Sequence, residues 1–215
     1  MDDGLDCNRA RGAQAATLSA ASAQAAMASA TSALVLVDYQ QRLMPGIHDG
    51  AADVAEAVFL GAVARVLGIP VLGTAQNPAG LGPNDPAVQA VCDALVEKMH
   101  FDACGDGLLE ALQRARPGLQ QVVIAGCEAH VCLLQTTLGL LRAGLQVFVV
   151  APACGSRSPA DRQLALDRLA RAGAVLVSPE MVAFEWLHSC EHADFRGVLA
   201  LIKQRGGTAA APAPG

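Results

Sequence analysis

The chain has 215 residues, enough for one domain with a sizeable core. Hydrophobic residues make up 53%, charged residues 16%, and the net charge is −5. This balance leaves no basic patch for nucleic acid and no basic helix for a membrane surface, and no apolar run is long enough to span a bilayer. Seven cysteines without paired spacing read as reduced thiols of a cytoplasmic protein rather than a disulfide framework. No basic start followed by an apolar core opens the chain, so no secretory signal is expected.

Residues 1–31 are rich in Ala, Ser and Gln, hold almost no large apolar side chain, and are expected to be disordered. The predicted domain is 32–205. Residues 33–37 are a continuous apolar run, the signature of a strand buried on both faces, and the run ends at Asp38. A loop over 39–49 leads to a predicted helix over 51–67, closed by Gly68 and Pro70. A second strand is predicted over 69–74, a Pro- and Gly-rich loop over 75–86, a helix over 87–95 and a short strand over 96–101 that carries Lys98. A helix over 107–116 stops at Pro117-Gly118. The apolar run 122–125 reads as a buried strand ended by Gly126, and a helical pattern starts near His130. A strand over 145–150, a helix over 161–172 that Ser158-Pro159 opens, a strand over 174–177 and helices over 178–187 and 195–203 complete the domain. The tail from 206 is expected to be disordered.

Strands alternate with helices about six times, which predicts an α/β fold around a mostly parallel, doubly wound sheet. Such sheets bind ligands beyond the carboxyl ends of their strands. Asp38 stands at one such end, Cys132 just beyond another, and Lys98 within the short middle strand. Of fifteen basic residues only Lys98 and Lys203 are lysine, so a lysine here points to a need for a compact ammonium. Cys132, in the first turn of a helix, is expected to feel the positive helix end and favour thiolate, reacting faster than a free thiol. The three groups make a coherent hydrolytic set: Asp38 takes the thiol proton, Lys98 stabilises the charges, and Cys132 attacks. No glycine-rich phosphate fingerprint occurs, so no nucleotide cofactor is expected.

Residues 126–132 (Gly-Cys-Glu-Ala-His-Val-Cys) resemble the nucleophile turn of the isochorismatase-like cysteine hydrolases, the small isochorismatase-domain-containing proteins in particular. Residues 35–40 (Val-Leu-Val-Asp-Tyr-Gln) resemble that family's first strand, 97–101 (Glu-Lys-Met-His-Phe) its lysine strand, and 153–158 the segment after its following strand. The resemblance covers about 32–188. It implies a three-layer α/β/α fold and a catalytic triad of Asp38, Lys98 and Cys132. It further implies a cis peptide at Cys127–Glu128 and an oxyanion hole formed by the backbone N–H groups of Glu128 and Cys132. Many members carry Thr where this chain has Ala129, so substrate polarity does not transfer. Nicotinamidase-type members place Asp and His metal ligands in the loop that here offers Gln76 and Asn77 but no histidine, so no metal is expected.

Tyr39, Gln40, Asn77, Ala129 and His130 are the expected lining of the substrate pocket, with Tyr39 and Gln40 alternatively fixing Asp38. The expected activity is cofactor-free hydrolysis of a small molecule at a C–N bond of the amide type. Vinyl-ether hydrolysis and a non-catalytic scaffold are the alternatives. Family resemblance and apolar helix faces point to a homo-oligomer.

Overall fold

The structure is a computed structural model that describes residues 26–207, with side chains up to Arg205. Six parallel strands form one sheet in the order β3-β2-β1-β4-β5-β6. In chain order the elements are β1 (Ser32–Val37), α1 (Gly50–Val66), β2 (Val71–Gln76), a single turn α2 (Pro78–Leu81), α3 (Pro86–Val91), β3 (Ala94–Lys98), α4 (Leu108–Ala115) and β4 (Gln121–Cys127). A widened turn over Ala129–Leu133 leads into α5 (Leu134–Arg142), then β5 (Gln146–Gly155), α6 (Pro159–Arg171), β6 (Val175–Val177), α7 (Pro179–Leu187) and α8 (Phe195–Gly207).

Every residue of β1, β2 and β4 is buried, as expected of mostly apolar strands covered on both faces. Two groups of helices supply the cover. α1 packs on α3, α7 and α8, while α5 packs on α6 and on the short turn at Ala103–Asp106 that precedes α4. The helix starts follow simple chemistry. Ser158 and Ser178 each accept a hydrogen bond from the N–H three residues on, and proline follows both.

The predicted fold class is what the structure has, and the sheet is parallel throughout its described strands. Several boundaries differ. The helix expected over 87–95 ends at Val91, and β3 begins at Ala94 and stops at Lys98. Asp93 decides this: its N–H donates to Val71 O and its carboxylate accepts from Val71 N, which pins the start of β3 beside β2. β3 is an edge strand with Leu95 45% exposed, so it lacks the apolar continuity that betrays a central strand. β5 runs five residues past its expected end. It does so by a register shift against β4, pairing Ile124 with Val149 but Gly126 with Cys154. Pro152 cannot donate to a ladder, and the slack falls around it.

The N-terminal segment expected outside the domain lies partly beyond the described residues. Within them Met27 is only 2% exposed, and its N–H donates to Glu185. The tail expected from 206 is helical at its first two residues, since α8 continues to Gly207, and its remainder lies outside the described residues.

Candidate active site

The strand order reverses between β1 and β4, and both lead from the sheet's centre into the same crevice. Their register sets Val37 beside Gly126. A Cβ on Gly126 would lie 2.4 Å from Val37 O, so only glycine lets the two backbones approach this closely. Asp38 follows with φ 52°, a left-handed conformation that turns its side chain out of the strand alternation. On the other side, Val37 pairs with Thr74 and Gln76 pairs with Lys98. The ends of four adjacent strands thus deliver Asp38, Thr74 with Gln76, Lys98 and the turn bearing Cys132.

The three groups expected to act together do meet. Lys98 Nζ lies 2.7 Å from Asp38 Oδ2, with both side chains fully buried. Thr74 Oγ1 donates to Asp38 Oδ1 at 2.6 Å. Asp38 Oδ2 has no other hydrogen bond, which leaves it acceptor capacity beyond its ion pair. Lys98 also donates to Gln76 Oε1 at 2.7 Å and, at 3.5 Å, to His100 O. Cys132 is 6% exposed, and its Sγ lies 3.9 Å from Gln76 Oε1. Its electrostatics depart from the sequence expectation. Burial, and after it the charge of Asp38, push the thiol up to about 12, and Lys98 only partly opposes them. Desolvation outweighs the helix end, so the resting group is a thiol rather than a thiolate.

The connection after β4 has the expected shape. The Cys127–Glu128 bond is cis, and Leu133 N donates to Glu128 O, which widens the first turn around Cys132. Glu128 is held by Arg157, whose backbone N and Nε both donate to Oε2 at 3.0 Å. Burial alone would raise the Glu128 carboxyl, but these hydrogen bonds and the guanidinium charge leave it lowered.

The expected pocket lining is only partly found. Tyr39 is fully buried, and its hydroxyl donates to Ala153 O, so it ties β1 to β5 instead of facing a ligand. Gln40 is fully buried too. Its amide donates to Gln76 O and Gly82 O and accepts from Gln76 N, so it braces the end of β2. Both fix the framework around Asp38, because a buried polar group must find partners inside the protein. Ala129 is buried, Asn77 is exposed after Gln76, and His130 Nδ1 lies 3.0 Å from Ser156 Oγ. A cavity of about 610 Å³ opens elsewhere, against Met181, Phe184 and His188 of the α7 region, and no triad residue lines it.

Thr74 had no role in the sequence reading, and Gln76 entered it only as part of a loop without histidine. They lie two apart in one strand, hence on one face. Only the register against β1 and β3 shows that this face meets Asp38 and Lys98. Among the described residues, no group of three or more His, Cys, Asp or Glu is placed to hold a metal, and no helix is long and apolar enough to cross a membrane.

Comparison with known proteins agrees with the fold. The Isochorismatase domain family matches residues 32–181. Human isochorismatase domain-containing protein 2 is 37% identical over 177 residues, covering 81% of this chain and 84% of that protein. The MAR1 ribonuclease of Caenorhabditis elegans superposes with a TM-score of 0.79 at 32% identity, covering 89% of this chain and all of that one. The ycaC gene product of Escherichia coli, described as an octameric hydrolase of unknown specificity, has a TM-score of 0.71 at 25% identity, over 84% of this chain and 97% of that one. With these matches, the chain belongs to the isochorismatase family.

Proposed function

We propose that this chain is a cysteine hydrolase that cleaves a C–N bond of the amide type in a small molecule, using Cys132, Asp38 and Lys98 and no cofactor. The observation that carries the reading is the fully buried Asp38–Lys98 pair facing the thiol of Cys132. A buried ion pair is a costly way to stabilise a fold, and an active site gives it a use.

In the proposed cycle the Cys132 proton passes to Asp38 as Sγ bonds to the substrate carbonyl carbon. The N–H groups of Glu128 and Cys132 receive the oxyanion. Collapse breaks the C–N bond, and the amine leaves with the proton from Asp38. Water then gives a proton to Asp38 and attacks the thioester carbon. The acid departs and Sγ takes its proton back. Lys98 stays paired with Asp38 between these transfers. The octameric relative supports a homo-oligomer.

A ribonuclease reading, suggested by the name of the C. elegans neighbour, fits less well. The three acting groups are at most 6% exposed and the chain carries −5, whereas a polyanion needs an open basic surface. The test is a panel of carboxamides, ureido compounds, esters, a vinyl ether and RNA, read as product release by wild type and Cys132→Ala. Amide cleavage lost by at least about a thousandfold in the variant supports the proposal. Turnover that survives Cys132→Ala, or none by the wild type on any small molecule, overturns it.

A further inference from the structure

The proton inventory around Gln76 bears on when Cys132 becomes reactive. The Gln76 amide has two strong partners of opposite kind. Lys98 Nζ, which can only donate, sits 2.7 Å from Oε1, and Met99 O, which can only accept, receives Nε2 at 2.8 Å. Flipping the amide would break both contacts, so its orientation is set. Its backbone is held as well, because Gln40 bonds both Gln76 N and Gln76 O. The fixed amide therefore presents an acceptor, not a donor, to the Cys132 sulfur at 3.9 Å. An acceptor favours S–H and opposes S⁻. An Nε2 group in the same place would do the reverse.

We propose that Gln76 is a positioning residue that keeps Cys132 as a protonated, unreactive thiol until substrate enters, while holding the Lys98 ammonium against Asp38. The nucleophile is activated by the substrate: an electrophilic carbon in contact with Sγ makes transfer of the thiol proton to Asp38 favourable. Without substrate, the thiol is spared from alkylating reagents and oxidants in solution. The charged groups that face Cys132 are Asp38 from the end of β1 and Lys98 from β3.

This inference rests on the Cys132 assignment, but its test needs no substrate. The rate of Cys132 modification by iodoacetamide is measured by peptide mass spectrometry between pH 6 and 10, with the exposed Cys190 as internal reference. Wild-type Cys132 is expected to react more slowly than Cys190. Gln76→Met keeps the length and removes the acceptor, so its Cys132 rate should rise by about tenfold or more, with the pH profile moved to lower pH. Gln76→Glu adds negative charge at the same point, so its rate should fall and its profile move to higher pH. Opposite displacements support the proposal. Equal displacements, or an unmoved profile in either folded variant, overturn it, since a purely structural role would lower stability and leave the profile in place. If Gln76→Met does not fold, Gln76→Leu, which also removes the acceptor without adding charge, is read in its place. Lack of hydrolysis by the wild type would count against the proposed function and leave the modification result standing.

Discussion

Asp38 and Asp53 are two buried carboxylates in one domain, and they are treated in opposite ways. Asp38, fully buried, has the Lys98 ammonium at 2.7 Å and the Thr74 hydroxyl at 2.6 Å. Asp53, in the first turn of α1 and 6% exposed, has an Oδ2 with no hydrogen-bond partner. It lies against Gly155, where a Cβ would come 2.1 Å from Oδ2 and 3.1 Å from Cys127 Sγ. Burial pushes its carboxyl up to about 6. Arg162 pulls it down, but the Arg162 guanidinium is engaged with the carbonyls of Cys154 and Ala151. Asp49 and Glu56 push it up further, and His48 opposes them. A buried carboxylate on which no cation and donor converge takes up a proton more readily, as Asp53 does. The first arrangement suits a site that must move a proton. The second backs the residues beside the cis turn.

Breaking the well-partnered side should cost most. Lys98→Met leaves Asp38 buried without its counter-ion, and urea titration at pH 7 should show a loss of about 3–5 kcal/mol together with loss of hydrolysis. A loss below about 1 kcal/mol would mean that solvent already reaches Asp38, and the contrast with Asp53 would disappear.

Asp53 sharpens the comparison from the other side. Its unfolded value is 3.8 and its folded value about 6, so between these the folded state holds more proton than the unfolded state. The stability tied to this group is therefore full below about pH 4, falls as pH rises to about 6, and stays low above that. The displacement of about two pH units corresponds to roughly 3 kcal/mol at most. Asp53→Asn removes the titration. Its unfolding free energy should lack this decline between pH 4 and 7, and parallel pH profiles for the two proteins would contradict the reading. The smallest effect belongs to Thr74→Val, which deletes one hydrogen bond to a charged oxygen. A loss of about 2 kcal/mol is expected by urea titration, with a lowered kcat. No change in either would show that Lys98 alone holds Asp38.

Much of this was legible along the chain because its signals are local. Continuous apolar runs mark central strands wherever both faces are covered, which is why β1 and β4, with Asp38 just after the first and Gly126 near the end of the second, could be placed. β3 was misplaced by about two residues because an edge strand buries little. β5 was cut short because Pro152 is a stop signal unless a neighbouring strand permits a register shift. Tyr39 and Gln40 were expected to line the pocket or to fix Asp38. Both turn inward, since their polar ends find backbone partners on β5 and β2.

The sequence by itself determined the alternation of strands and helices, the family, and the three groups that converge, because each depends on residue types in short patterns. Tertiary structure alone decided that Gln76 stands between Lys98 and Cys132, that Thr74 supports Asp38, and that Asp53 Oδ2 goes without a hydrogen bond. Those facts depend on strand register and on which groups share a desolvated volume. Burial also reversed the expected state of the Cys132 thiol, because the cost of charging a group grows with the protein packed around it, and no stretch of sequence carries that sum.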